Sequence, residues 1–102
     1  MKINVLLLGV LKYKDKQTGV DKYRVSYLLN DSNAYQKTAN FIGINELSFY
    51  TDCPLLFDTV SHDDILQPAV FEIIEKPNPS NPLKMRMDIS SVKLKNGTIS
   101  LL

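Results

Sequence analysis

The chain is poor in the residues that build catalytic and metal centres. Its 102 residues include one cysteine, Cys53, and one histidine, His62. One cysteine excludes an internal disulfide and favours a reducing cytoplasm. One residue of each kind cannot form a His/Cys zinc site within one chain. The four glycines are isolated, so there is no glycine-rich phosphate loop. We therefore expect a protein that is not an enzyme and that uses no cofactor and no metal.

His62 stands beside Asp63 and Asp64, a grouping that could suggest a metal or acid–base site. However, consecutive residues on a turn point in divergent directions. The run from Ser61 to Asp64 also has the form of a capping box, which accounts for both of these residues structurally. A nucleophilic pair of Cys53 and His62 is disfavoured, because acidic neighbours oppose formation of the reactive thiolate. We expect Cys53 to be a packing residue.

Long apolar runs are also missing. The N-terminal stretch 3–11 is too short to span a membrane, has no small-residue cleavage site and continues into charged sequence. We expect it to be a buried first strand. With 44% hydrophobic residues and no low-complexity segment, the chain should fold rather than stay disordered. Its length predicts a single domain, 1–102, with one core.

Charge is segregated along the chain although the net charge is only +1. Residues 1–44 hold seven cations against three carboxylates, and residues 76–102 hold five cations against one carboxylate. Residues 45–75 hold seven carboxylates and neither Lys nor Arg. A fold that brings the two ends together would have a basic side able to attract a polyanion.

Alternation of apolar and polar residues predicts a mainly β protein. We expect strands at about 2–14, 20–30, 35–44, 69–76 and from 83 onward, with turns at 17–19, 30–33 and 96–97. The phase of the alternation flips at Ser90-Ser91, which indicates a β-bulge. A short last strand at 98–102 could fold back after the turn.

Prolines interrupt this pattern twice. Pro54 predicts irregular chain with short helical turns over 45–67, and three prolines predict a stiff loop over 77–82 that lies outside any central strand. The predicted order is three strands, an irregular or short-helical connection and two further strands. This is the order of the OB-fold, a five-stranded Greek-key barrel. An SH3-like barrel is the nearest alternative.

A basic hairpin over residues 12–27 carries four Lys and one Arg interleaved with three Tyr. Cations bind phosphates and aromatic rings stack on bases, which is how unpaired nucleic acid is held. A solvated hairpin with half-buried Tyr is the plainer alternative. Because a closed barrel needs inward aromatics, we expect at least two of the aromatic rings on the first three strands to be buried, along with Phe57 and Phe71. The candidate contacts are Lys12, Tyr13, Lys14, Lys16, Lys22, Tyr23, Arg24, Tyr27, Lys37, Phe41, Lys84 and Arg86.

Several stretches resemble the small single-stranded-DNA-binding proteins of phages, above all the filamentous-phage type. They are Gly19-Val20 entering a basic strand, Tyr27-Leu28-Leu29-Asn30 near its end, and the closing pattern from Ala69-Val70-Phe71-Glu72-Ile73 through Ser90-Ser91-Val92-Lys93-Leu94. The resemblance implies a short OB-fold homodimer that coats single-stranded DNA. It also implies that Lys22 and Arg24 meet phosphates while Tyr23 or Tyr27 stacks on bases. The acidic 45–67 segment and the 77–82 loop depart from that family.

These observations predict a sequence-independent single-stranded-DNA-binding protein, with RNA as an alternative ligand, that serves replication or recombination of a phage or mobile element. We expect a cytoplasmic homodimer, in the host cytoplasm if phage-encoded, without membrane contact and with replication or recombination proteins as partners. The alternative function is a small β-barrel that binds another protein, such as a phage inhibitor of a host protein, through the acidic 45–75 segment.

Overall fold

The computed structural model describes residues 1–31, 35–78 and 80–101. Within them, strands β1 (Lys2–Lys14) and β2 (Asp21–Leu29) form a hairpin, and the short strands β3 (Gln36–Lys37) and β4 (Ile42–Gly43) form a second, separate one. Strand β5 (Leu47–Thr51), helix α1 (Leu55–Thr59) and a 3₁₀ turn (His62–Asp64) follow. Strands β6 (Pro68–Asn78), β7 (Asn81–Leu94) and β8 (Gly97–Ser100) complete the chain.

Six of these strands form one antiparallel sheet in the order β5-β2-β1-β6-β7-β8. The all-β class is therefore confirmed. Closure into a five-stranded OB-fold-like barrel is not confirmed, because β5 pairs with β2 alone among the described strands. The free edges of β5 and β7 instead line an open cleft. No helix among the described residues is long and apolar enough to cross a membrane.

The core lies on the inner face of this sheet. Val5 and Leu7 of β1 meet Val25 of β2, Phe71 of β6 and Val92 of β7, all fully buried. Helix α1 contributes Leu56 to this cluster, and Leu56 is its only fully buried side chain among the described residues. Burying an aliphatic or aromatic side chain of this size contributes about 1.5–3 kcal/mol. The apolar N-terminal run is thus the first strand, as predicted, but only Val5 and Leu7 of it are fully buried and Leu11 is exposed.

A β-bulge in β7 accounts for the phase flip in the sequence. Glu72 lies opposite Ser91 and Ile73 opposite Ile89, so Ser90 is an extra residue on β7. The Ser90 hydroxyl donates a hydrogen bond to the Glu72 carbonyl at 3.2 Å. The predicted bulge is therefore confirmed. It keeps Ile89 and Val92 on the core side of one strand.

The predicted third strand, 35–44, is wrong. Residues 36–37 and 42–43 pair only with each other, and β5, in the segment expected to be irregular, is the neighbour of β2. The reason is packing: Phe49 of β5 places its ring 5.3 Å from that of Phe71 in the core. On the predicted face of 35–44 that holds Phe41, the neighbouring positions are Ala39 and Gly43, which bury little apolar surface.

The connection and the proline segment follow the prediction in part. The expected short helical turns are present, and the Ser61 backbone N–H donates to Asp64 Oδ2 at 3.0 Å, as a capping box requires. The loop is shorter than the predicted 77–82, because β6 continues through Asn78 and β7 begins at Asn81. Pro77 is tolerated in β6 because β1 pairs only with residues 68–72. The later residues of β6 therefore have one edge without a ladder partner among the described strands, and proline is accepted at such an edge.

Candidate nucleic-acid interface

The outer face of β1, β2 and β5 gathers rings and cations from three strands. Arg24 lies opposite Leu11 on one side and Tyr50 on the other, and Tyr13 lies opposite Lys22. The neighbouring pair Val10 and Val25 points into the core, so these five side chains point away from it. We call Leu11, Tyr13, Lys22, Arg24 and Tyr50 the outer-face patch.

Two tyrosine rings are the main feature of the outer-face patch. Tyr13 and Tyr50 place their ring centroids 6.4 Å apart in an edge-to-face arrangement at 85°. Tyr50 is 64% exposed. Together with Leu11 and Arg24 they line a shallow depression of about 300 Å³. An exposed ring offers a stacking surface that every base can use, whatever the sequence.

The cations of the patch differ in how free they are. Among the described residues, no carboxylate lies within 4 Å of the Arg24 guanidinium, whereas Lys22 Nζ lies 3.5 Å from Asp15 Oδ2 and 3.8 Å from Asp52 Oδ1. Exposed ion pairs contribute about 0–1 kcal/mol, so a phosphate can displace either partner of Lys22. Arg24 is therefore the readier phosphate ligand.

Asp15 is fixed at the tip of the β1–β2 hairpin. It accepts the Gln17 backbone N–H at 2.8 Å, and this bond, followed by the nearby Lys22 ammonium, lowers the pKa of the Asp15 carboxyl. Gly19 completes the turn with a φ of +70°, a conformation that favours glycine. Lys14 and Lys16 are exposed beside this turn. The loop thus presents cations at one end of the patch.

The remaining hairpin cation lies on the other face. Lys12 is opposite Tyr23, its Nζ lies 3.7 Å from Asp21 Oδ2, and it sits 5.9 Å from the centre of the Phe57 ring. The cations of the predicted basic hairpin are therefore divided between two faces of the sheet. Lys12 is corrected to a position away from the patch. Phe57, expected in the core, is partly exposed there.

Tyr23 is corrected as a stacking residue, and Tyr27 is corrected to a position on the opposite face of the sheet from the outer-face patch. Tyr23 is 5% exposed and packs on Phe57 at 5.7 Å between ring centroids, so its ring is closed to a base. Tyr27 packs edge-on against Phe71 at 4.9 Å, and desolvation by burial raises the pKa of its phenol. The expectation that at least two aromatic rings of this group would be buried is met in part, since Tyr23 is buried and Tyr27 is half-buried, and the burial of Phe71 is confirmed.

The other predicted contacts lie apart from the patch. Lys37 and the partly exposed Phe41 belong to the β3–β4 hairpin, which makes no ladder with the main sheet in the described ranges. Lys84 and Arg86 lie on β7, which β1 and β6 separate from β2. These two cations therefore do not adjoin Lys22 and Arg24.

Charge segregation in three dimensions is weaker than along the chain. Asp52, from the acidic segment, pairs with Lys22, and the Glu72 carboxylate lies 3.4 Å from the N-terminal amine. Both acidic residues thus bind cations of the basic N-terminal segment. Attraction of a polyanion then depends on local sites more than on one uniformly basic side.

Comparison of this chain with protein-family models, with curated proteins and with solved structures found no match. Its function is inferred from its own residues.

Tyr50 is the patch tyrosine that is absent from the predicted contacts. It lies in the segment 45–67, which the sequence predicts to be irregular, so the pattern gives its side chain no direction. The signal was present, because Leu47, Phe49 and Thr51 alternate with Ser48 and Tyr50 as in a half-buried strand.

Proposed function

We propose that this protein binds single-stranded DNA without sequence specificity, and that it acts in replication or recombination of a phage or mobile element. The observation that carries this proposal is the placement of Tyr13, Tyr50 and Arg24 on one exposed face. Two rings supply stacking that every base can use, and the Arg24 guanidinium, which has no carboxylate of the described residues within 4 Å, supplies a phosphate ligand. The single cysteine supports action in the cytoplasm, in the host if the protein is phage-encoded.

We further propose that the sheet is a partly open OB-like barrel. Its first five long strands pair in the order β5-β2-β1-β6-β7, with α1 between β5 and β6. An OB barrel has this order and this helix position, and it closes where the third strand meets the fifth. Oligonucleotides bind OB-folds across the second and third strands. In this chain those strands are β2 and β5, which carry Arg24 and Tyr50.

Homodimer formation is part of the proposal. The part of the β6–β7 hairpin that extends past the ladder with β1, residues 73–78 and 81–89, supports it, and we call it the β6–β7 arm. Leu83 is 95% exposed, and Met85 on the same side of β7 is also exposed. Over residues 81–89, the outer edge of β7 pairs with no described strand, since β8 covers only residues 91–94. Free edges and exposed apolar side chains favour association with a second copy.

A second candidate function is binding of a basic protein partner through the acidic segment. Leu55 and Leu66 are exposed beside the carboxylates of Asp58 and Asp63. Apolar side chains among like charges are typical of a surface that recognises an oppositely charged partner. This surface lies on the α1 and 3₁₀ connection, so changes in it should leave oligonucleotide binding intact.

Fluorescence anisotropy of a labelled oligo-dT tests the leading proposal. We expect saturable binding that is at least tenfold tighter than binding to a duplex of the same length, because stacking needs unpaired bases. Equal affinity for both forms would reduce the interaction to charge attraction. Absence of any binding, with capture of a basic protein, would favour the second candidate.

A further inference from the structure

The open side of the sheet contains a cleft large enough for a small organic ligand. It lies between β5 and the β6–β7 arm and has a volume of about 670 Å³. Pockets that hold such ligands measure roughly 300–1,000 Å³. Its floor includes Tyr27, Phe49 and Ile89, which pack against the core. The cleft therefore has an apolar, partly aromatic floor, whereas most of its other lining side chains, such as Ser48 and Asp52, are polar.

The rim of the cleft carries an excess of cations on the side of the arm. Arg86 Nη2 lies 3.2 Å from Asp88 Oδ2, and Lys76 Nζ lies 4.0 Å from the same oxygen. Two cations thus share one carboxylate. An incoming phosphate would complete their charge balance, and exposed ion pairs cost little to rearrange.

Tyr50 joins this cleft to the outer-face patch. Its side chain borders the depression formed with Tyr13 and Arg24, and it also lines the cleft on the β5 side. A strand that stacks on the patch can therefore pass over the edge of β5 and enter the cleft without leaving the protein surface.

We propose that the cleft between β5 and β7 is a second nucleotide subsite, in which one base rests on the apolar floor and its phosphate binds Arg86 and Lys76. This inference rests on the proposed function, since it extends the path of the same strand. The occupant is a nucleotide of that strand because Lys76 and Arg86 favour an anion on the side of β6 and β7, whereas Asp52 lies on the β5 side, and because the floor favours a flat apolar ring. In this proposal Arg86 contacts a phosphate at the second subsite, which lies apart from the phosphate bound by Arg24.

Methionine methyl NMR gives a readout inside the cleft. Met87 lines it, whereas Met85, two residues along the same strand, does not. Addition of oligo-dT to protein labelled with ¹³C at the methionine methyl groups should shift the Met87 signal and leave Met85 unchanged. A Met87 signal that responds to protein concentration but not to oligo-dT would mean that a second copy fills the cleft, and would overturn the proposal.

Three charge variants make the test sharper. Arg86→Ala should weaken oligo-dT binding about fivefold at 0.1 M salt, as expected for one lost phosphate contact on a single strand. Asp88→Asn should strengthen binding, because it frees both cations. Lys93→Ala is the matched control, since it removes one positive charge from the same strand about 20 Å away and should change affinity little.

The outcomes distinguish failure of the second subsite from failure of the proposed single-stranded-DNA binding. If the Arg86–Asp88 pair only stabilises the arm, Arg86→Ala and Asp88→Asn will change binding in the same direction or not at all. Binding that requires Tyr50, with an unmoved Met87 signal and equal effects of Arg86→Ala and Lys93→Ala, overturns the subsite alone. Failure of the unaltered protein to bind oligo-dT overturns both.

Discussion

Replacement of Tyr50 by alanine should weaken binding to oligo-dT without harming the fold. Base–aromatic stacking contributes about 1–3 kcal/mol per base, which corresponds to roughly a 5- to 160-fold loss of affinity. Tyr50 is largely exposed on an edge strand, so the change should alter the free energy of unfolding by no more than about 0.5 kcal/mol. Tyr35→Ala is the matched control, because Tyr35 is 68% exposed but lies outside the main sheet.

Arg24→Ala should differ from Tyr50→Ala in kind. The outer-face patch offers two cations, Lys22 and Arg24, so a strand that neutralises both should give a log–log salt slope of about −1.4 from the patch alone. Loss of Arg24 should reduce the magnitude of the slope by about 0.7, whereas loss of Tyr50 should leave it nearly unchanged. Anisotropy titrations of each variant at several salt concentrations measure both quantities.

Equal losses for Tyr50→Ala and Tyr35→Ala would refute the stacking argument, because both changes remove an exposed tyrosine. A Tyr50→Ala variant that loses affinity only by lowering the salt slope would also contradict it. In that case the ring would serve to position a cation and would not hold a base.

Three further predictions concern assembly and pH. A Leu83→Ser/Met85→Ser variant should sediment as a monomer while the unaltered protein sediments as a dimer; an unaltered protein with a concentration-independent monomer mass from micromolar upward would exclude the dimer. Burial raises the pKa of Tyr27 above its unfolded value of about 10, so the contribution of Tyr27 to stability should be full below pH 10 and be lost as pH rises through the folded value. Tyr27→Phe should remove this loss from alkaline unfolding curves. The pKa of Asp15 is lowered, so its contribution should be full above its unfolded pKa of about 3.9 and disappear as pH falls through the lower folded value, and Asp15→Asn should flatten the acid unfolding profile in that window.

The long strands could be read from the sequence because their alternation is local. The predicted ranges 2–14 and 20–30 match β1 and β2 closely, and the bulge at Ser90 follows from one shift of phase in neighbouring residues. Local signals of this kind do not depend on which strand lies beside them.

The neighbour of β2 could not be read in this way. Two segments competed for its free edge, and each had a short alternating pattern. The choice depends on the contact of Phe49 with Phe71, two residues that lie 22 positions apart in the chain. Placing the third strand too early in the chain left Tyr50 out of the predicted site.

A second bulge decided which hairpin residues face outward. The register between β1 and β2 shifts between Leu7 and Gly9, so every later residue of β1 changes face. Tyr13 thereby turns to the outer face and Lys12 to the inner one. A run of three leucines at 6–8 does not show where the extra residue lies, so the sequence could indicate a basic aromatic hairpin but not its working face.

Photo-cross-linking tests the central claim most directly. An oligonucleotide that carries 5-iodouracil in place of thymine should be cross-linked to the protein with long-wavelength ultraviolet light, and the linked residues should then be identified by mass spectrometry. We expect Tyr50 and Tyr13 to carry the linked base, with linkage reduced by excess unlabelled oligo-dT. Linkage confined to the α1 and 3₁₀ connection, or spread evenly over exposed Tyr35 and the patch tyrosines, would contradict an outer-face site.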